Sequence, residues 1–415
     1  MLPAPVVLLR EADFRRVWLA GACGNTVRWL EILAVSVFTY ELTGSPFLVA
    51  FMTVLRALPI LLLGSITGAV AERVNRRLLY AGGLAASGLV SGTLCLLVWA
   101  GLAELWQIGL GAFLNGVVWT TEHPVRRTMI HDVAGRERLG VAMGVDTATQ
   151  NATRMLGPLS GGLLYQTIGL EGAYLASAAL TGAGAFLVSR LAYGEGSRSG
   201  GGQSLFGTMV AGIRYVRQER AILAVLIVTM IVNMFGFPYS TMIAVIGSEV
   251  LELNATAIGL LMSAEAAGAF VGSLLVAGLV RPRHYQRLFF YGGCLFVAGV
   301  VVFSQSSSFA VSLAVLALGG LGVAGFASMQ TTVILSLAPP EMRSRAMGAL
   351  AVAIGFGPLG MFHVGLLADW LGATTAVLVI ALEGLAGLAV CAVVWPELRR
   401  RHLPKPPRHR SVKVR

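Results

Sequence analysis

Apolar runs of about 20 residues, the length a helix needs to cross roughly 30 Å of hydrocarbon, recur along the whole chain. About twelve can be read on that criterion, near residues 14–40, 46–71, 78–100, 104–123, 139–165, 171–192, 221–247, 255–280, 288–305, 309–336, 345–368 and 373–396. The pattern breaks once, at "GEGSRSGGGQS" (Gly194–Ser204), whose Gly/Ser composition is that of a flexible linker. Beyond it, Leu205, Met209, Ile213 and Val216 repeat at helical spacing, with Arg214, Arg217 and Arg220 among polar neighbours. That stretch predicts a short helix lying in the membrane interface. The expected fold is an all-α membrane protein of twelve transmembrane helices in two pseudo-symmetric six-helix bundles. Its expected divisions are 1–193, a linker with the interfacial helix over 194–220, a second bundle over 221–396, and a basic tail over 397–415.

The symmetry is visible in the residues. "RLLYAGG" (Arg77–Gly83) matches "RLFFYGG" (Arg287–Gly293), and the same offset carries Gly68 onto Gly278. "GPLSGG" (Gly157–Gly162) has a looser echo in "GPLG" (Gly357–Gly360). Internal repeats of this kind suggest two bundles that rock against each other.

Composition agrees with the pattern: 56% hydrophobic and 12% charged residues lie outside the range of soluble domains. Basic residues fall into alternate loops. Arg10, Arg15 and Arg16 precede the first span, and clusters follow at Arg73/Arg76/Arg77, Arg126/Arg127/Arg136/Arg138, Arg190 to Arg220, Arg281/Arg283/Arg287, Arg343/Arg345 and Arg399 to Arg415. The intervening loops carry acids such as Glu41, Glu104, Glu171, Glu249, Glu252 and Asp369, and no Lys or Arg. The positive-inside rule then places both termini in the cytoplasm. The net charge of +11 is read as this topology signal, with affinity for anionic lipid heads and no nucleic-acid partner. The opening "MLPAPVVLLREADFRR" puts its apolar run before its charges, so no cleavable signal peptide is expected.

Charges also fall inside the spans: Arg28, Glu31, Arg56, Asp146, Arg154, Glu265, His363 and Glu383. Each costs about 2.5–3.5 kcal/mol at mid-membrane on insertion scales, so such groups normally face a wet cavity or a partner. Counted at about 1.5 Å per residue, Arg28, Glu31, Arg56, Arg154 and Glu265 fall near a common depth. Glu31 has two candidate partners, Arg28 at i−3 and Arg56 on the next span. Glu31, Glu265 and Asp146 are candidate proton carriers, with Asp146 nearer the cytoplasm. The alternative is that these pairs are structural locks. Asn25, Asn115, Gln150, Asn233, Phe235, Tyr239 and His363 are candidate cavity residues, with Met230 and Met262 as adaptable apolar lining.

Three stretches resemble the major facilitator superfamily. "GAVAERVNRR" (Gly68–Arg77) is similar to its cytoplasmic loop signature through Gly68, Arg73, Arg76 and Arg77, with Glu72 in place of Asp and Asn75 in place of Gly. The resemblance implies a cytoplasmic gate in which Glu72 meets the start of the eleventh helix. "GVDTATQNATRMLGPLSGG" resembles the antiporter motif through Gly144, Gly157, Pro158, Gly161 and Gly162, with Thr153 where a Gly is expected. "TEHPVRRTMIHDVAGRERLGVAMGV" (Thr121–Val145) resembles the branch of bacterial macrolide pumps and siderophore exporters. In that fold the fifth span packs beside the eighth, which implies that Arg154 meets Glu265.

The expected function is therefore a proton-coupled exporter of amphipathic, drug-like or siderophore-like compounds in a bacterial inner membrane, monomeric and working by alternating access. Two alternatives remain: an importer or lysophospholipid transporter of the same fold, and a membrane sensor that transports nothing. No nucleotide loop, zinc motif or nucleophile elbow is present, and the four cysteines are scattered. No enzyme activity, cofactor or metal is expected.

Overall fold

The structure, a computed structural model, describes residues 8–135, 137–192, 219–279, 282–339 and 342–399, without the side chains of residues 61, 64–73, 278, 279, 282 and 344. The expected interfacial helix, but for its last two residues, and residues 400–415 of the basic tail lie outside the described residues. The described chain is all-helical, with no strand. In chain order the helices are α1 (Ala12–Thr43), α2 (Pro46–Arg73), α3 (Arg76–Trp99), α4 (Leu105–Ala134), α5 (Leu139–Ile168) and α6 (Leu170–Ser189). After the linker come α7 (Arg220–Glu249), α8 (Ala255–Leu279), α9 (Tyr285–Ser304), α10 (Phe309–Leu337), α11 (Arg343–Ile354 and Gly357–Leu371) and α12 (Ala373–Val394).

Eight of these, α3 and α6 to α12, are long and apolar enough to cross a membrane. α1, α4 and α5 are at least as long, at 32, 30 and 30 residues, but carry more polar and charged positions. α2, over its fully described residues Pro46–Ile60, is also apolar. α4 runs on past the apolar stretch that ends near residue 123, so Arg126 and Arg127, expected in a loop, are helical. Large apolar side chains turn outward, with Leu89, Trp99, Trp370 and Val393 each more than 70% exposed, as hydrocarbon contact requires.

Two helices are interrupted where the sequence explains it. Pro238 has no N–H to donate and its ring clashes with the carbonyl four residues back. α7 accordingly widens into a π turn over Val232–Gly236 and tightens into a 3₁₀ turn over Phe237–Met242. The freed Met234 carbonyl lies against Gly360 of α11, where a side chain would collide with it. α11 itself breaks at Gly355 and Phe356, just ahead of Pro358.

Packing falls into two neighbourhoods joined by seams. α1 packs on α5 and α6, α3 on α4 and α6, and α2 on α4. After the linker, α10 packs on α8 and α9, and α12 on α7, α9 and α11. Across the linker, α5 lies along α8 and α2 along α11. At the end of the helices marked by Gly44, polar contacts tie the seams. Tyr40 donates to Glu249, Thr256 to Gln166 at 2.5 Å, and Ser45 to Asp369 at 3.2 Å.

Bare backbone is what lets α5 and α8 touch. A Cβ on Gly162 would strike the Ala255 carbonyl, and one on Gly259 would sit 2.6 Å from the Pro158 carbonyl. Gly157 and Gly161 are pressed in the same way against Trp29 and Leu30 of α1. Gly144, two turns or more nearer the Arg-rich end, has nothing within 4 Å. Gly144→Ala is therefore expected to hold or raise thermal stability, since Ala restricts the unfolded chain and suits a helix. Gly162→Ala is expected to lower it by about 1–3 kcal/mol through overpacking. Differential scanning calorimetry of the two purified variants checks the opposite signs.

Candidate functional site

A cavity of about 190 Å³ lies where the two neighbourhoods meet. α1, α2, α4 and α5 form one wall and α7, α8 and α11 the other. The residues that shape its chemistry are Arg28, Arg56, Arg154 and Glu265, set beside Trp29 and Trp119 and a mixed surface that includes Ser240, Thr241, Met262 and Met361.

Glu31 lies behind the first wall, 2% exposed. Its carboxylate accepts from Arg56 Nη1 at 2.8 Å, Ser91 Oγ at 2.8 Å and Asn115 Nδ2 at 3.0 Å. Asn115 is oriented in turn by Ser87 Oγ, which donates to its Oδ1 at 2.8 Å. Four helices thus converge on one carboxylate. Of the two partners open to Glu31, Arg56 is the one in contact. A buried carboxylate with a cation and two neutral donors has its charge and most of its lone pairs answered, the condition for tolerating burial.

Glu265 is the counterpart on the second wall, 4% exposed. Arg154 Nη2 donates to both of its oxygens, at 2.8 and 3.0 Å, and the Tyr239 hydroxyl donates to Oε2 at 3.1 Å. This pair joins α5 to α8 across the seam. Tyr239 reaches it because the 3₁₀ turn at Pro238 re-aims that part of α7. The Arg154 guanidinium also stands 5.5 Å from the Trp29 ring.

Arg28 is handled differently from its neighbours. Its guanidinium carbon is 3.7 Å from the centre of the Trp119 ring and 5.6 Å from that of Trp29. No acid among the described residues lies within ion-pair distance of it. Glu31, at i+3, is taken by Arg56. Glu122 packs beside Gly24, one turn of α1 away on the same face.

Asp146, 1% exposed, sits outside the cavity toward the Arg-rich end. It is paired with the fully buried Arg126, accepts from Gln150 Nε2 at 2.8 Å, and has Arg127 Nε at 4.0 Å. Arg126 was not among the residues expected from the sequence. Its signal was there in principle, one turn after Glu122 on an unbroken helix, but it read as a loop charge.

The other sequence candidates scatter. Asn115 and Tyr239 stand behind the cavity wall and hold its acids, while Gln150 donates to Asp146 outside it. Asn233 donates to the Thr229 carbonyl at 2.9 Å within α7. His363 meets Glu383 at 3.1 Å, with Phe235 edge-on to its ring, away from the cavity lining. The amide nitrogen of Asn25 is buried without a hydrogen-bond partner. In the expected gate, the side chains of Glu72 and Arg73 lie outside the described residues, as does the atomic surrounding of Gly68. Arg76 pairs with Asp132 at 2.9 Å, and Arg77 donates to the Ser189 carbonyl. Asn75 caps α3 by accepting from the backbone N–H groups of Arg77 and Leu78.

Comparison with known proteins agrees with this architecture. The chain is 20% identical over 378 residues to macrolide efflux protein A of Streptococcus pyogenes, covering 87% of this chain and 91% of that one. It is 20% identical over 269 residues to the staphyloferrin A transporter of Staphylococcus aureus, covering 65% and 68%. Among solved structures, a bacterial homologue of the human lysosomal transporter Spinster superposes with a TM-score of 0.67 at 16% identity, covering 93% and 95%. The nucleoside transporter NupG superposes with a TM-score of 0.70 at 13% identity, covering 92% and 98%. The family description "transmembrane secretion effector" matches residues 4–405. The chain belongs to that family of major facilitator superfamily transporters.

Proposed function

We propose that the protein exports amphipathic organic compounds across a bacterial cytoplasmic membrane in exchange for protons, by alternating access of two six-helix bundles. The observation that carries this reading is the Arg154–Glu265 pair, which spans the seam between α5 and α8 at the edge of a cavity lined from both sides. A pair in that place makes and breaks as the seam opens, and a carboxylate that loses its cation in a low-dielectric site is favoured to take a proton in exchange. Glu31 offers the same chemistry on the first wall, with Arg56 as the cation that leaves. α1, α2, α4 and α5 complete a set of twelve spans, and Arg28, Arg56 and Arg154 on three of them are turned toward the cavity.

Direction and orientation rest on separate support. The positive-inside rule places the Arg-rich end and both termini in the cytoplasm, which puts Gly44 and the polar seam contacts on the outer side. The efflux and transport roles named for the relatives, macrolides in one and staphyloferrin A in the other, favour export of a sizeable organic molecule. The apolar outer surface provides for a lipid environment, and a single chain contains the whole cavity, in keeping with a monomer.

In everted vesicles holding a preset pH gradient, a transported compound from a drug and siderophore panel is expected to collapse the gradient with the wild-type protein. Glu265→Gln and Glu31→Gln are each expected to abolish that collapse while the compound still binds. A gradient that no compound disturbs, or one that both variants discharge like the wild type, contradicts proton exchange. Arg154→Gln leaves Glu265 buried without a cation, so a loss of about 3–5 kcal/mol of stability is expected. Arg154→Gln/Glu265→Gln is expected to recover much of that loss in a thermal melt.

A further inference from the structure

We infer that the cavity selects organic anions, and that Arg28 is the residue that binds the anionic group. The inference rests on the transport reading above for its physiological meaning and on the geometry for its chemistry. Three guanidinium groups line the cavity, those of Arg28, Arg56 and Arg154. Two carboxylates answer them: Glu31 pairs with Arg56, and Glu265 with Arg154. Arg28 has no carboxylate at ion-pair distance: Glu122, packed one turn back beside Gly24, makes no ion pair with it, so its donors face a low-dielectric space in which a cation attracts an anion more strongly than in water.

Stacking on tryptophan does not use up this arginine. A cation–π contact engages the flat face of the guanidinium, while its five N–H donors point outward in the plane of the group. With Trp119 at 3.7 Å on that face, the plane of the guanidinium is fixed and its donor edge remains available. Arg28 makes no hydrogen bond or ion pair to another described residue, and its nitrogens are not among the buried polar atoms. A rigidly held fork of donors suits a planar carboxylate or a sulfonate. Trp29, Ile32, Met262 and Met361 offer the apolar surface on which an aromatic or aliphatic body would rest. The expected ligand class is thus an amphipathic organic anion, with its charged group on Arg28. A cationic amphiphile would meet that guanidinium as a like charge.

The test uses the full-length protein in nanodiscs and three probes of one shape: 1-naphthoate, 1-naphthalenemethanol and 1-naphthylmethylammonium. Binding measured by thermophoresis is expected to favour naphthoate over both others by about tenfold or more, the range of a charge-assisted hydrogen-bonded pair. Arg28→Gln should remove that preference, leaving naphthoate no tighter than naphthalenemethanol, and an unchanged far-ultraviolet circular dichroism spectrum and thermal melt show that the variant is folded. Arg28→Lys should keep part of it, since lysine retains the charge and loses the fork. Equal or better binding of the ammonium probe, no binding of naphthoate, or an Arg28→Gln variant that binds naphthoate like the wild type would each overturn the inference. Flux in sealed proteoliposomes separates the two readings. Naphthoate that binds through Arg28 but never crosses refutes transport and leaves the anion site standing. Movement of the ammonium probe alone refutes the anion site and leaves transport standing.

Discussion

A charge inside a membrane must be answered by something, and the structure is organised around that requirement. Arg154 and Glu265 sit on helices from opposite sides of the linker, and each is tolerated there because the other is present. Their contact requires α5 and α8 to run close together, which the glycines at 162 and 259 permit. It also requires a second donor for the carboxylate, and the irregular turn at Pro238 supplies Tyr239. Sequence features far apart in the chain thus serve one electrostatic demand.

The three arginines of the cavity show three grades of the same solution. Arg56 is tied to a carboxylate that Ser91 and Asn115 also hold, a pairing contained within one wall of the cavity. Arg154 bridges the seam, so its pairing depends on how the two sides sit. Arg28 relies on aromatic faces and keeps its donors. Three arginines within one small volume are thus held in three different ways. Farther from the cavity, Arg126 and Asp146 repeat the first solution between α4 and α5.

The fold class was legible from hydrophobicity alone because spans long enough to cross a bilayer leave little else for the chain to do. The count was less secure for α1, α4 and α5, whose charges and amides blunt the apolar signal for the same reason that they matter. Depth counting brings Arg28, Glu31, Arg56, Arg154 and Glu265 near one level; the structure sets four of them on the cavity and Glu31 behind its wall. Direction around each helix was harder to read. Arg28 and Glu31 are close in sequence, yet one turns to Trp119 and the other to Arg56, a choice made by neighbouring helices. Arg126 reads from the sequence as a loop charge, because a basic cluster looks like a loop until the helix is seen to continue through it. Tyr239 and Asn115, expected in the cavity, stand one layer behind it, since a polar side chain on an inward face can serve an acid as readily as a ligand.

On this account, the Arg154–Glu265 pair sets the balance between closed and open forms of the seam. Spin labels at Leu42 and Val250, exposed positions at the ends of α1 and α7 beside the Tyr40–Glu249 contact, report that balance directly. Double electron–electron resonance in a background without Cys23, Cys95, Cys294 and Cys391 should give a short distance in the wild type. Arg154→Gln/Glu265→Gln should add a longer one. A single distance distribution, unchanged when the pair is neutralised, would contradict the claim that these charges govern the movement.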